Sequence, residues 1–305
     1  MSPASVTADA TANLRGILLM VGSMALFAVE DMFLKFAAAS LPVGEIIFVS
    51  GVFAIPVFWA LARREGLAFF SRDLLRPVIL LRNLGEVIGS LGYVAALAAV
   101  PLSTVSAVLQ ATPLAVTMGA ALFMGEQVGW RRWSAILVGF AGVLMVVQPG
   151  GAAFRPEALW VLVTVAGIAL RDLATRAAPA RISTHQISAW GVTSVALLGL
   201  AMMAVTGDVR PPTGAESASL AGAVVFGTAG YWAITAAMRA GEVSVVSPFR
   251  YARLIFAMSL GILVFTERPD ALTLIGAAVI IGSGLYTFAR ERARKRALST
   301  VPSAG

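Results

Sequence analysis

The sequence predicts an all-α integral membrane protein with ten transmembrane helices, arranged as two inverted five-helix repeats. Three observations predict this fold class. Of the 305 residues, 58% are hydrophobic and 13% are charged, with a mean hydropathy of +0.85, whereas a soluble domain carries about 25% charged residues. The apolar residues fall in runs long enough to cross a bilayer. Charged residues inside those runs recur at a fixed offset, which indicates an internal duplication.

A transmembrane helix needs about 20 consecutive, mostly apolar residues, and ten such segments follow one another along the chain. No connection between them is long enough to form a separate domain outside the membrane. The predicted spans are Leu14–Ala37, Gly44–Leu61, Val78–Val100, Ser103–Met124, Trp133–Val147, Ala158–Thr175, Ile187–Val205, Leu220–Met238, Val243–Phe265 and Ala271–Phe288.

The basic residues of the loops are unevenly divided between the two sides of the membrane. Of the 23 lysines and arginines, fifteen lie on one side, four on the other and four inside spans. Because basic loops stay in the cytoplasm, we expect a multi-pass protein of the bacterial inner (plasma) membrane with both termini cytoplasmic. Residues 1–13 then form a short N-terminal segment rather than a cleaved signal peptide, and residues 290–305 form a basic cytoplasmic tail.

The composition excludes several classes of site. The chain has no cysteine and a single histidine, His185, which excludes disulfides, thiol nucleophiles and a metal site built on several histidines. It lacks a Gly-Lys dipeptide and so has no phosphate-binding P-loop. We expect no enzymatic activity, no cofactor and no metal. The net charge of +7 favours anionic lipid headgroups over nucleic acid as the partner of the basic loops.

An offset of 141 residues superimposes the two halves of the chain. Charged residues carry most of this comparison, because they are rare inside membrane spans. Glu30 and Asp31 fall on Arg171 and Asp172, Lys35 falls on Arg176, and Glu126 falls on Glu267. The predicted repeats are residues 14–148 and 156–289. Five spans are an odd number, so the second repeat enters the membrane from the opposite side, and inverted repeats of this kind permit alternating access.

Two matching sets of motifs make the chain similar to a known family. The first set is the run Ser103 to Val108 with Pro113, followed by Gly125-Glu126 and by Gly139 to Leu144. The second set is the run Val243 to Pro248, followed by Thr266-Glu267, Gly276 and Gly282 to Leu285, with Thr266 at the position where the family usually has glycine. Over residues 14–290 the chain resembles the drug/metabolite transporter superfamily in its EamA-type branch, which includes bacterial aromatic amino acid exporters.

The resemblance implies a basket of ten helices around a central cavity, which spans 1, 3, 4, 6, 8 and 9 line, with spans 5 and 10 as scaffold. It also implies a small-molecule substrate carried across the lipid bilayer. Members of the family export amino acids and related metabolites, and others take up S-adenosylmethionine or riboflavin. A single chain suffices in principle, and the oligomeric state stays open.

Four charged residues at equivalent positions of the two repeats are candidates for coupling or gating: Glu30, Asp31, Arg171 and Asp172. A charge at mid-helix costs roughly 2.5–3.5 kcal/mol to insert, so such groups pair or face the bundle interior. Glu30 and Arg171 have opposite signs and suit a pair across the pseudo-twofold axis. A site for protons or cations and a structural ion-pair network both fit this pattern.

The candidate cavity residues lie on spans 3, 4, 8 and 9. Asn83 and Glu86, together with Arg82, break the internal symmetry and therefore suit substrate chemistry. Gln110 and Tyr251 occupy equivalent positions close to Pro113 and Pro248, which interrupt their helices and are candidate hinges. Arg250 and Arg253 suit a ligand carboxylate, and Tyr231 and Trp232 suit an aromatic wall. The full set is Asn83, Glu86, Gln110, Tyr231, Trp232, Arg250, Tyr251 and Arg253.

This inventory predicts export of amino acids, aromatic or otherwise apolar, and of related small metabolites by alternating access. Three alternatives remain. The first is uptake of a larger metabolite such as S-adenosylmethionine or riboflavin. The second is efflux of lipophilic cations, which would use acids and aromatic rings without the arginines. The third is a membrane scaffold that transports nothing.

Overall fold

The computed structural model describes residues 3–68, 71–151, 154–179, 181–240 and 242–299. Helices dominate these residues. They are α1 (Pro3–Ala38), α2 (Val43–Arg64), α3 (Pro77–Ala99), α4 (Leu102–Leu109), α5 (Thr112–Phe123), α6 (Trp130–Val147), α7 (Leu159–Ala177), α8 (Thr184–Thr206), α9 (Gly214–Ala240), α10 (Val243–Val246), α11 (Ala252–Phe265) and α12 (Ala271–Ser299).

Ten segments of the described residues are long and apolar enough to cross a membrane, which confirms the predicted all-α membrane fold. α4 and α5 together make the fourth span. The ninth consists of α10, the 3-10 turn Ser247–Tyr251 and α11. The fifth span is longer than predicted, because α6 already begins at Trp130. Since ten crossings return the chain to its starting side, the start of α1 and the end of α12 lie on one face, which we call the terminal face. The other is the opposite face.

Helix extends further into the two predicted end segments than the membrane spans alone require. α1 begins at Pro3, well before the first apolar residue of its span. α12 continues through the basic residues to Ser299. The first two and last six residues of the predicted end segments lie outside the described residues.

Helix packing follows the internal repeat. α1 packs along α9, and the equivalent pair, α7 and α3, packs in the same way. α2 packs on its own equivalent α8, and α6 packs on its equivalent α12. These contacts join the repeats to each other in pairs of helices, as a pseudo-twofold arrangement requires.

Small residues set the distance between paired helices. A Cβ atom added to Gly85 would lie 2.6 Å from the Arg171 backbone nitrogen, and one added to Gly167 would lie 2.7 Å from the Gly89 Cα. A Cβ on Gly276 would likewise lie 2.6 Å from the Gly142 carbonyl oxygen. Because lipid supplies no hydrophobic drive between helices, this close backbone approach stabilises the bundle by packing. It also holds α3 and α7, with their charged residues, side by side.

Candidate functional site

Both proline-containing spans are interrupted inside the membrane. α4 ends at Leu109, and α5 starts at Thr112 with Pro113 in its first turn. Proline is tolerated there because a backbone N–H in the first turn would have no partner within the helix. Pro248 lies in the 3-10 turn that precedes α11. At this level the Gln110 Nε2 donates a hydrogen bond of 3.1 Å to the Tyr251 carbonyl oxygen. The predicted interruptions are therefore present and joined to each other, while movement at the two prolines stays a prediction.

The two arginines of the ninth span have different surroundings. Arg253 is half-buried and forms an ion pair with Asp31. The Arg250 side chain is exposed, and within the described residues it has no ion pair or hydrogen bond. An arginine exposed inside a membrane span faces either lipid, at a large cost, or a water-filled cavity. Arg250 also lies within electrostatic range of Asp172, Arg171 and Arg253, so it stands near the charged residues of α7 and α11.

Arg253 is part of a charged cluster that joins three spans. Its Nη2 lies 2.6 Å from the Asp31 Oδ1, and its Nε lies 3.1 Å from the Oδ2. The Tyr93 hydroxyl also donates to the Asp31 carboxylate and lies 3.1 Å from the Arg253 Nη2. Asp31 is 0% exposed, and the guanidinium of Arg253 lies over the Phe27 ring. The cluster ties α1, α3 and α11 together and engages the Nε and Nη2 of Arg253, while its side chain stays 25% exposed.

A second charged cluster joins α3 to α7. The Arg82 Nη2 lies 2.7 Å from the Glu86 Oε2, and the Arg171 Nη1 lies 3.3 Å from the Glu86 Oε1. Arg171 also binds its neighbour Asp172 at 2.9 Å. Asn83 is buried beside Arg82. The Asp172 side chain remains 39% exposed, so the carboxylate of Asp172 stays partly accessible.

The expected pair between Glu30 and Arg171 is not formed. Arg171 is held by Glu86 and Asp172, which are closer because α7 packs on α3. Glu30 lies instead against α9, where a Cβ on Gly227 would be 2.5 Å from its Oε1. The missing side chain at Gly227 provides the space for this carboxylate.

The aromatic candidates do not form one wall. The Tyr231 ring packs edge-on against Phe58 at 4.7 Å, on the side of α9 that faces α2. Trp232 is 68% exposed and lies on the helix face opposite Gly230 and Ala237, which are buried. Trp232 therefore lies on the outer surface of the bundle. Its neighbour Tyr231 faces α2, because successive side chains along an α-helix are rotated by about 100°.

Tyr251 also points away from the position predicted for it. Its hydroxyl packs directly against Gly284 of α12, the tenth span, which the family resemblance makes scaffold. Its backbone carbonyl, rather than its ring, faces the fourth span through the bond from Gln110.

Tyr93, Lys35 and Glu267 were not among the predicted site residues, although Lys35 and Glu267 appear in the repeat comparison. Tyr93 lies seven residues after Glu86, two helical turns further along the same face, so its position was a usable signal. Lys35 lies 3.9 Å from Glu267 at the opposite face. Within the described ranges, no three His, Asp or Glu side chains are grouped as metal ligands would be.

The sequence matches the model of the EamA-like transporter family twice, at residues 14–148 and 155–289. The chain belongs to the EamA-like transporter family. It is therefore a multi-pass membrane transporter with a small-molecule substrate, and not an enzyme.

Several curated relatives are similar over most of their length. The pseudopaline exporter CntI of Pseudomonas aeruginosa (strain UCBPP-PA14) is 28% identical over 267 residues, which is 87% of this chain and 93% of the relative. The S-adenosylmethionine uptake transporter of Rickettsia prowazekii is 24% identical, covering 92% of this chain and 94% of the relative. The riboflavin transporter of Rhizobium johnstonii is 29% identical, covering 68% and 69%.

One solved crystal structure has the same fold. It superimposes with a TM-score of 0.58 and 20% sequence identity, covering 94% of this chain and 98% of the other. This supports the fold alone. The named substrates of the relatives differ from one another, so membership of the family does not identify the solute of this chain.

Proposed function

We propose that this transporter exports amino acids and related small metabolites by alternating access, and that it recognises the carboxylate of its solute through Arg250. The observation that carries the proposal is the guanidinium of Arg250, exposed inside a span and unpaired within the described residues. A cation in such a position lowers its free energy by binding an anion, and a carboxylate can accept two parallel hydrogen bonds from one guanidinium.

The acids near the cavity suit the ammonium group of the same solute. Asp172 is partly exposed and lies within electrostatic range of Arg250. Glu30 adds a second carboxylate beside α9. One cation and one or two acids match a zwitterion better than a lipophilic cation, which would leave Arg250 without a partner. The apolar residues of the bundle favour amino acids with apolar side chains, including aromatic ones.

Orientation is part of the proposal. The excess of arginine on the terminal face supports a cytoplasmic position for both chain ends. Export then means that the solute enters the cavity from the terminal face and leaves at the opposite face. The riboflavin and S-adenosylmethionine transporters among the relatives keep larger metabolites as the second candidate class.

The experiment is a flux screen with purified protein in proteoliposomes, against amino acids, nucleoside metabolites and cationic dyes. We expect counterflow of labelled phenylalanine or another apolar amino acid, and much less of its decarboxylated amine. Arg250→Ala should abolish the preference for the acid. Arg250→Lys should recover only part of it, because an ammonium group cannot bind a carboxylate bidentately. Equal flux of acid and amine through the unsubstituted protein would contradict the proposal.

A further inference from the structure

Two ion pairs at opposite ends of the bundle are equivalent under the 141-residue offset. Lys35 lies 3.9 Å from Glu267, and Arg176 lies 3.6 Å from Glu126. Adding 141 to 35 gives 176, and adding 141 to 126 gives 267. The local backbone is equivalent as well, since the Glu267 amide donates to the Gly261 carbonyl and the Glu126 amide donates to that of Ala120. The first pair lies at the opposite face and the second at the terminal face.

The pair at the opposite face is sealed. Glu267 accepts hydrogen bonds from the backbone amides of Leu102 and Ser103, at 2.6 and 3.0 Å, and from the Ser103 hydroxyl at 2.7 Å. Those amides begin α4, where the helix dipole also favours a carboxylate. The Lys35 Nζ donates to the Val100 carbonyl at 2.6 Å, and the Lys35 and Glu267 side chains are only 16% and 8% exposed.

Aromatic rings cover this seal, and four spans meet at it. The rings of Phe36 and Phe265 lie 4.9 Å apart beside the ion pair, with Lys35 over the Phe265 ring. α1, α3, α4 and α11 each contribute a group or a packed surface. These contacts therefore close the bundle at the opposite face.

The pair at the terminal face is loose. The Arg176 and Glu126 side chains are 54% and 46% exposed. The positions equivalent to Leu102 and Ser103 are Val243 and Ser244, the first residues of α10. α4 packs against α11, but the described residues of α5 and α10 form no comparable contact. Likewise α1 packs against α3, while α7 and α9 do not meet in the same way within the described ranges. The opposite face is closed by these contacts. The terminal face has the equivalent residues, but its described residues do not make the equivalent contacts.

We propose that Lys35–Glu267 and Arg176–Glu126 are reciprocal gates, of which only one is closed at a time. In the alternate conformation the Glu126 carboxylate accepts from the amides of Val243 and Ser244, Arg176 closes over the end of α9, and Glu267 leaves α4. Each sealed carboxylate stabilises one conformation of the cavity, so the two pairs set the balance between them. The proposal rests on the transporter function and not on the identity of the solute.

Opposite effects of two matched substitutions test the gates. The cysteine-free chain allows a reporter, Leu102→Cys, whose side chain is 0% exposed while the opposite face is closed. Its rate of modification by a hydrophilic maleimide, measured on purified protein in nanodiscs, reports opening of that face. Glu267→Gln should raise the rate by roughly tenfold or more, the scale expected for hydrogen bonds to a charged group. Glu126→Gln should lower the rate, because it destabilises only the alternate conformation.

A structural role alone predicts a different result. Glu126 is half exposed in this conformation, so a merely structural Glu126→Gln would leave the reporter unchanged. No change, or a change in the same direction as with Glu267→Gln, would overturn the proposal. Neither measurement needs a transported solute, so failure here and failure of the amino acid proposal can be told apart.

Matched cysteine pairs keep the test valid if Glu267→Gln does not fold. Phe36→Cys with Phe265→Cys should cross-link readily in the resting protein. The equivalent pair, Ala177→Cys with Met124→Cys, should cross-link much more slowly. Adding Lys35→Gln should slow the first cross-link and speed the second. Similar cross-linking of both pairs in one sample, unaffected by Lys35→Gln, would mean that the two faces do not alternate.

Discussion

Gln110 and Tyr251 are 141 residues apart, the offset that relates the two repeats, and the Gln110 side chain binds the Tyr251 carbonyl oxygen at 3.1 Å. A residue can touch its own repeat equivalent only near the axis that relates the repeats. The bond therefore lies where the interrupted fourth and ninth spans cross. It connects the Ser247–Tyr251 turn, which includes Arg250, to the end of α4.

Gln110→Leu should loosen this crossing. The expected loss of unfolding free energy is about 0.5–1.5 kcal/mol, the net value of one such hydrogen bond, measured as a lowered thermal midpoint in detergent. Tyr251→Phe is the matched control, because it keeps the backbone carbonyl and with it the bond from Gln110. A larger effect of Tyr251→Phe than of Gln110→Leu would show that the packing of the ring on α12 matters more than the crossing.

Asp31 and Asp172 occupy equivalent positions but should respond differently to substitution. Asp31→Asn breaks the pair between the fully buried Asp31 and the half-buried Arg253, and removing one partner of a buried pair typically costs about 3–5 kcal/mol. Asp172→Asn alters a partly exposed pair, for which about 1 kcal/mol or less is expected. Thermal unfolding of the two variants side by side measures the difference. If Asp31→Asn instead left stability intact and removed the pH dependence of flux, Asp31 would serve coupling.

The contact between α3 and α7 predicts a steric effect at one glycine. Gly167→Ala would bring its Cβ within 2.7 Å of the Gly89 Cα, a contact between two backbones that cannot yield without moving a helix. Overpacking of this kind costs about 1–3 kcal/mol. Gly22→Ala is the control, since nothing lies within 4 Å of its added Cβ. Equal thermal midpoints for the two variants would contradict the close packing of α3 on α7.

Orientation can be measured with two single cysteines. Ala68 is exposed beyond the end of α2, on the terminal face, and Ala215 is exposed at the start of α9, on the opposite face. In intact cells an impermeant maleimide should label Ala215→Cys at once and Ala68→Cys only after permeabilisation. Labelling of Ala68→Cys alone would reverse the orientation, and labelling of both from one side would contradict the alternation of spans.

The spans and the repeat could be predicted because they depend on apolar run length and on rare charges, which are local properties of the sequence. The partners of individual side chains could not be predicted from the sequence. Asp31 binds Arg253 across 222 residues of chain, whereas Lys35, one helical turn from Asp31, donates to the carbonyls of Leu97 and Val100 at the end of α3. Arg250 and Arg253 would share one side of a regular helix, since residues three apart in an α-helix are within about 60° of each other. The 3-10 turn at Ser247–Tyr251 changes that rotation and separates a paired arginine from an open one.

The loops of the terminal face predict a pH-dependent contribution to stability. At the end of α2, Glu65 accepts a hydrogen bond from Ser183 and lies 2.7 Å from the His185 Nδ1, which joins the first repeat to the second. The hydrogen bond from Ser183 and then that with His185 lower the pKa of Glu65 below its usual range, and the charge of Arg239 acts in the same direction.

A carboxyl group with a lowered pKa in the folded state stabilises the fold above its unfolded pKa of about 4.3 and loses that contribution as the pH falls through the folded value. The difference in thermal midpoint between the unsubstituted protein and Glu65→Gln should therefore shrink as the pH falls below about 4.5. It should stay small, because an exposed pair contributes about 1 kcal/mol at most. Ser183→Ala removes the largest cause of the lowered pKa and should reduce the difference at neutral pH. A difference that stayed constant down to pH 3.5 would mean that Glu65 acts through packing and not through its charge.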